Sequence, residues 1–86
     1  MNINELIAIV KSKLEREINI QDLTIEDKSF LHKNHKGHRD GKFHLKIMIK
    51  SVEFSKSSKI ESTKRVYNIL SFELKHYIHS IQILFN

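Results

Sequence analysis

The chain contains no cysteine, only two glycines and no long apolar stretch. Without cysteine it cannot form a disulfide, use a thiol nucleophile, or hold zinc or an iron–sulfur cluster through thiolates of its own. Neither a GxxxxGK[ST] nor a GxGxxG sequence is present, which argues against a nucleotide-binding loop. The first residues, MNINELIAIV, lack the basic segment and apolar run of a secretory signal. No stretch approaches the roughly 18 apolar residues of a membrane-spanning helix, so we expect a soluble, cytoplasmic protein, or an organellar one if a presequence has been removed.

The length of the chain limits it to a small fold, whereas its net charge leaves the class of partner open. The 86 residues suffice for one domain, and 40% apolar with 29% charged residues is ordinary for a globular domain rather than a disordered chain. A net charge of +5 is compatible with nucleic acid, an anionic surface or an acidic partner protein, and equally with a lysine-rich solvated surface.

Apolar periodicity predicts the order helix, strand, strand, helix, strand. The predicted elements are a helix at about 2–16, strands at about 20–27 and about 42–51, a helix at about 57–76 and a strand from Ile78. Two capping boxes, Asn2 with Glu5 and Ser58 with Glu61, support the starts of the helices.

The second strand has the clearest two-residue alternation, from Phe43 to Ile49, and its odd-numbered apolar residues should face the helices. The first two strands flank one loop and most simply form an antiparallel hairpin. The helix before the third strand demands a crossover, so the second and third strands should be parallel, with a right-handed connection. The fold class is therefore α+β: one domain over 1–86, with a small three-stranded mixed sheet, helices on one face and the KH-like (class II) topology.

The last third of the chain joins a helix to a strand, with a histidine where the pattern changes. From Ile78 to Ile83 the residues follow a two-residue alternation, and His79 lies at its start. From spacing alone, His79 is either a structural histidine bonded at a strand end or a ligand. The apolar face of the preceding helix consists of Val66, Ile69, Leu70 and Leu74.

The loop between the first two strands carries three histidines at steps of three. His32, His35 and His38 could converge on a metal, and histidine is the commonest ligand of that kind. Such clusters are also often exposed, adventitious metal binders. No glutamate stands in the HExxH relation and no nucleophile elbow is present. We therefore expect that the protein is not an enzyme.

Nucleic-acid binding is the alternative that charge and topology favour. Lys56, Lys59, Lys64 and Arg65 could contact phosphates. A KH domain, however, clamps the backbone with a GxxG loop between helices, and the only glycines here lie in GHRDG, in a different loop.

Two motifs and a set of single residues, spread along nearly the whole chain, match a known family. The loop resembles the pattern D-x-S-x-x-H-x-x-H-x-G, and KFHLKIMIKS with the following phenylalanine resembles HFxVxIxSxxF. The matching residues are Asp27, Ser29, His32, His35, Gly37, His44, Ser51, Phe54, Arg65-Val66-Tyr67, Leu70, Glu73-Leu74 and His79-Ser80-Ile81. In these residues the chain resembles the BolA-like proteins.

This resemblance implies a partner and a cofactor. Family members of the histidine type pair with a monothiol CGFS glutaredoxin and share a [2Fe–2S] cluster with it and with glutathione, for iron–sulfur trafficking or iron sensing. Carried over, His79 is one ligand and His32 the second, with His35 and His38 as alternatives. His44 is then structural or orients another ligand. The resemblance implies that this protein does not bind the cluster alone, and we expect a monomer when it is by itself. The alternative function is a KH-like nucleic-acid-binding transcriptional regulator.

The chain departs from the family pattern at two places. Lys56 stands where the family commonly has a glycine, two residues after Phe54. Ser62-Thr63-Lys64 replaces an Arg-His-Arg triplet, so only one of its charges is kept.

Overall fold

Residues 1–29 and 42–86 are described by the structure, a computed structural model, and they form four helices and three strands. The elements in chain order are α1 (Ile3–Glu17), β1 (Asp22–Asp27), β2 (Phe43–Lys50), α2 (Val52–Ser55), α3 (Lys59–Ile69), α4 (Ser71–His76) and β3 (Ile78–Phe85).

The three strands form one mixed sheet in the order β1-β2-β3. β1 pairs antiparallel with β2, with Asp22 opposite Lys50 and Asp27 opposite Leu45. β2 pairs parallel with β3, and Ile49 lies opposite Phe85 at the far end. The predicted hairpin, the parallel pair and the α+β class are confirmed.

The helices begin where the capping signals predicted. Asn2 accepts the backbone N–H of Glu5 at 2.8 Å and so caps α1, and Ser58 accepts the N–H of Glu61 at 3.1 Å at the start of α3. In both cases a side-chain oxygen satisfies a donor that has no partner within the helix.

The prediction of one continuous helix at about 57–76 was wrong, because the structure has two helices there, α3 and α4. The chain breaks at Leu70, which ends α3 with φ −98° and ψ 18° and precedes α4. Neither glycine nor proline marks the break. Leu70 is fully buried, and Glu73 after it turns inward to bond Lys13 of α1. Packing therefore overrides the local helical pattern.

The short helix α2 was not predicted either. Its start is capped by Ser51, whose hydroxyl accepts the N–H of Glu53 at 3.2 Å. Four residues are too few to show a helical period, while Phe54 at its centre is buried.

The core lies between one face of the sheet and the helices. Leu45, Ile47 and Ile49 of β2 are at most 2% exposed, which confirms that the odd-numbered residues of this strand face inward. The other buried apolar residues are Leu6, Val10, Leu14, Ile18, Phe54, Val66, Leu70 and Ile78.

Candidate functional site

The start of β3 contains a one-residue irregularity in its pairing with β2. Phe43 lies opposite Ile78, but the next residue, His44, lies opposite Ser80. His79 is therefore an extra residue without a counterpart on β2, as in a β-bulge. The predicted strict alternation from Ile78 to Ile83 was wrong at this position.

The bulge follows from the spacing of two isoleucines. Ile78 is buried, and Ile81 packs against the core, although the two are three residues apart. Strict alternation would place them on opposite faces of the sheet. One inserted residue brings both to the core face, and the residue inserted is His79, which is exposed. This spacing was the sequence signal for the bulge.

His44 is held beside His79 by hydrogen bonds on several sides. Its ring Nδ1 lies 2.6 Å from the Ser80 hydroxyl oxygen. Its backbone N–H donates to the Ser29 hydroxyl at 3.0 Å, and its carbonyl accepts from the N–H of Lys28 at 2.7 Å. His44 is only 7% exposed. The other even-numbered residues of β2 are partly or fully exposed.

The two imidazoles contact one another. The ring centroids of His44 and His79 are 4.8 Å apart, and the ring planes are tilted by 33°. The fixed ring of His44 thereby limits the positions that the exposed ring of His79 can take. Ser80 carries part of the family resemblance, but its contact with His44 was not predicted, because its position opposite His44 depends on the bulge.

A shallow groove of about 350 Å³ borders His44. Its lining includes His44, Ser80 and Gln82 with the side chains of Lys28 and Lys46. Lys28 also forms an ion pair with Glu26, at 3.6 Å. The groove thus places the side chains of Lys28 and Lys46 near His44, on the sheet face opposite the core.

The remaining predicted ligands lie outside the described residues. His32, His35 and His38 fall within 30–41, so their role stays a prediction. Within residues 1–29 and 42–86, no group of three or more histidine, cysteine, aspartate or glutamate side chains is arranged to hold a metal ion. In the same ranges, no helix is both long and apolar enough to cross a membrane.

The predicted basic surface divides into two parts. Lys56, Lys59 and Lys64 are exposed. Arg65 is instead engaged: it donates to Glu53 at 2.8 Å and to the carbonyl oxygen of Glu17 at 2.6 Å. The Asn19 N–H and the Arg65 guanidinium both bond the Glu53 carboxylate and lower its pKa. Arg65 thus joins α3 to α1 and α2 rather than extending into solvent with the lysines.

The sequence model of the BolA-like protein family matches residues 14–85. The chain belongs to the BolA-like family.

Relatives of known name agree with this assignment. DNA-binding transcriptional regulator BolA of Haemophilus influenzae is 32% identical over 75 residues, which cover 87% of this chain and 70% of that protein. SufE-like protein 1 of Arabidopsis thaliana is 31% identical over 80 residues, and the chain spans only 22% of its length.

Solved BolA structures share the fold. The BolA domain of SufE1 from Arabidopsis thaliana superposes with a TM-score of 0.79 at 27% identity, covering 100% of this chain and 93% of that one. BolA1 from the same organism gives a TM-score of 0.78 at 29% identity, covering 92% and 87%. The BolA-like fold predicted from the sequence is confirmed.

Proposed function

We propose that this BolA-like protein is a non-enzymatic partner of a monothiol CGFS glutaredoxin in iron–sulfur trafficking or iron sensing. The cargo of the pair is a [2Fe–2S] cluster, shared with the glutaredoxin and glutathione and not held by this protein alone. His79 supplies one ligand. His32 supplies the second, with His35 and His38 as alternatives.

The observation that carries the proposal is the position of His79. A bulge takes this residue out of the regular ladder and leaves its imidazole exposed at the start of a strand whose next residues are paired. A ligand that must reach a metal shared with another protein needs an accessible donor atom on a fixed backbone. His79 has both properties.

His44 and Ser80 support the same proposal as positioning residues. Histidine ligands are commonly oriented by a neighbouring group, and this orientation affects metal affinity. Here the contact between the two rings, and the hydrogen bond that fixes His44 to Ser80, restrict the orientation of His79.

The donor set of the chain suits a shared cluster. It has no cysteine, so it offers no thiolate to iron, and its described residues do not assemble three ligands. Thiolates would then come from the partner and from glutathione. A cluster with imidazole in place of thiolate has a higher reduction potential, as in Rieske centres.

Visible circular dichroism of the reconstituted pair tests the proposal. The protein is mixed with a CGFS glutaredoxin, glutathione, ferrous iron and sulfide, and compared with glutaredoxin alone. We expect a new cluster spectrum that is lost in His79→Ala and kept in His76→Ala, whose exposed ring packs on Phe72 instead. Loss in His32→Ala would identify the second ligand, whereas a spectrum equal to that of glutaredoxin alone would reject the proposal.

Nucleic-acid binding is the second candidate function. It is favoured by the name of the Haemophilus influenzae relative and by the three exposed lysines at 56, 59 and 64. Fluorescence anisotropy of labelled duplex DNA over a salt series would test it. If these lysines contact phosphates, each Lys→Gln change should reduce the slope of log affinity against log salt by about 1. Lys11→Gln on α1 is the control. If the Lys→Gln changes at 56, 59 and 64 gave the same slope as Lys11→Gln, the three lysines would not form a nucleic-acid interface.

A further inference from the structure

We propose that the outward face of α3 binds an acidic amphipathic helix of a partner protein. This face, which we call the α3 stripe, consists of Ile60, Thr63, Lys64 and Tyr67. The four residues follow the spacing i, i+3, i+4 and i+7 along an eleven-residue helix, which places them on one side of it. The proposal rests on these residues and not on the glutaredoxin partnership proposed above.

The helix α3 carries apolar side chains on two opposite sides. On the inner side Val66 is fully buried, and Ile69 packs against the core. On the outer side Ile60 is 69% exposed and Tyr67 is 41% exposed. Ile60 is the most exposed large apolar side chain within residues 1–29 and 42–86. A helix that packs only against its own domain needs one apolar side, so the outer residues are available to a second partner.

A shallow depression of about 270 Å³ lies on the α3 stripe, lined by Lys59, Ile60, Thr63 and Lys64. Apolar atoms form most of its lining, because lysine side chains lay their methylene stems along a surface and keep the ammonium group in water. The depression therefore suits an apolar side chain of the partner. Contact there removes apolar area of Ile60 from water.

The charges around the depression select an acidic partner. Lys59 and Lys64 are exposed, and neither forms an ion pair within the described part of the chain. Lys59 also lines the adjoining cavity with Asn86, whose main-chain carboxyl group offsets part of its charge. Lys64, at the centre of the α3 stripe, is therefore its principal cation.

The carboxylate of Glu61 opposes this charge only from the side. Successive residues of a helix are about 100° apart around its axis, so Glu61 lies well away from the direction of Ile60. Its carboxylate also accepts a hydrogen bond from the Ser58 hydroxyl, at 3.0 Å, which holds it at the start of α3. The α3 stripe itself contains one charged residue, Lys64, and its charge is positive.

An acidic helix suits the α3 stripe better than a nucleic acid does. Phosphates need cations, and unpaired bases need aromatic faces on which to stack, whereas the most exposed side chain here is an isoleucine. Arg65, the one arginine of α3, is engaged with Glu53 and with the carbonyl oxygen of Glu17. Amphipathic helices, in contrast, are recognised through apolar residues at helical spacing, and charged residues around such a contact give specificity.

The spacing within the α3 stripe specifies the partner further. Ile60 and Tyr67 are seven residues apart, which is two helical turns or about 10 Å. A partner helix that lies along α3 therefore presents two apolar residues about two turns apart. Aspartate or glutamate residues beside the first of them reach the ammonium groups of Lys59 and Lys64.

The test is a fluorescence anisotropy titration with a labelled acidic peptide of about 18 residues, long enough to form a helix. Its leucines share one side of the helix and glutamates flank them. A scrambled peptide of the same composition is the matched control, because its leucines do not share a side. We expect saturable binding of the probe and none of the scrambled peptide. A labelled single-stranded oligonucleotide of equal charge should bind more weakly than the probe.

Two pairs of variants locate the contact. Ile60→Ser should weaken binding of the probe about tenfold, as at the centre of an interface, whereas Val52→Ser on α2, 49% exposed, should not change it. Lys64→Glu should weaken the probe about tenfold or more. Lys11→Glu on α1 changes the net charge equally and should alter the affinity less than about twofold. A probe with lysine in place of the glutamate that faces position 64 should regain affinity for Lys64→Glu.

The results that would overturn the proposal are equally specific. They are equal binding of the probe and the scrambled peptide, tighter binding of the oligonucleotide than of the probe, or the same affinity in Ile60→Ser and Val52→Ser. The four substituted side chains are exposed, so each variant should keep the melting temperature of the unsubstituted protein within a few degrees. The titration contains no glutaredoxin, iron or glutathione, so its outcome is independent of the cluster proposal.

Discussion

The ion pair between Lys13 and Glu73 makes a quantitative prediction about stability. The Lys13 ammonium lies 2.7 Å from one carboxylate oxygen of Glu73, and the side-chain exposures are 28% and 4%. The other oxygen of Glu73 is buried without a hydrogen-bond partner among the described residues. Lys13→Met would therefore leave a buried carboxylate with no cation beside it.

The size of the effect follows from the burial of the two partners. Breaking a fully buried pair by removing one partner costs about 3–5 kcal/mol. Lys13 is more than a quarter exposed, so water can partly replace it, and we expect a loss of about 2 kcal/mol. The ammonium also lies 5.7 Å from the centre of the Phe72 ring, a contact worth at most about 1 kcal/mol at an exposed site. In a domain of this size, 2 kcal/mol corresponds to a fall in melting temperature of about 10 °C.

A double-mutant cycle separates the pair from general effects of substitution. Thermal and urea unfolding are measured for Lys13→Met, Glu73→Leu and the double variant. Glu73→Leu removes the buried charge and leaves a lysine that can reach water, so we expect a change within about 1 kcal/mol, and the double variant should resemble it. Lys11→Met, an exposed lysine on the same helix, is the control and should change stability by less than about 0.5 kcal/mol. If Lys13→Met behaved like Lys11→Met, the reasoning would be refuted.

Three further changes test other parts of the fold. The pKa of Glu53 is lowered in the folded state, so its contribution to the free energy of unfolding should be present above about pH 4.5 and be lost as the pH falls through the lowered pKa. In Glu53→Gln the free energy of urea unfolding should therefore depend less on pH in the acid range. The same acid dependence in Glu53→Gln and in the unsubstituted protein would contradict this prediction. Ser58→Ala removes the cap of α3 and should lower the free energy of unfolding by about 1 kcal/mol. The control is Ser55→Ala, because the Ser55 hydroxyl donates to the Val52 carbonyl oxygen and caps no N–H of α3. Leu70→Ala at the junction of α3 and α4 should cost about 3 kcal/mol, and a loss below about 1 kcal/mol would mean that this junction is poorly packed.

Local patterns were sufficient to predict the main elements. The alternation of β2 identified the residues that face the core, because one buried face of a strand shows directly in the sequence. The capping boxes at Asn2 and Ser58 marked the starts of α1 and α3, since a cap depends only on residues three apart. The antiparallel and parallel pairings then followed from connection lengths.

Features that depend on distant contacts could not be predicted in the same way. The bulge at His79 requires the register between β2 and β3, and the break at Leu70 accompanies the inward turn of Glu73 toward Lys13, sixty residues earlier. The hydrogen bond between His44 and Ser80 joins residues 36 positions apart. The resemblance to BolA-like proteins supplied His79 as a candidate ligand, and the structure adds the neighbours that hold it.

Pulsed EPR of the reduced, reconstituted complex tests the role of His79 most directly. The BolA-like chain alone is labelled with ¹⁵N-histidine, so that any coupled ¹⁵N nucleus comes from this protein. The account predicts strong ¹⁵N coupling to the cluster spin in the unsubstituted protein and in His76→Ala. It also predicts that one coupling disappears in His79→Ala. Absence of ¹⁵N coupling, or the same couplings after His79→Ala, would contradict the assignment of His79 as a cluster ligand.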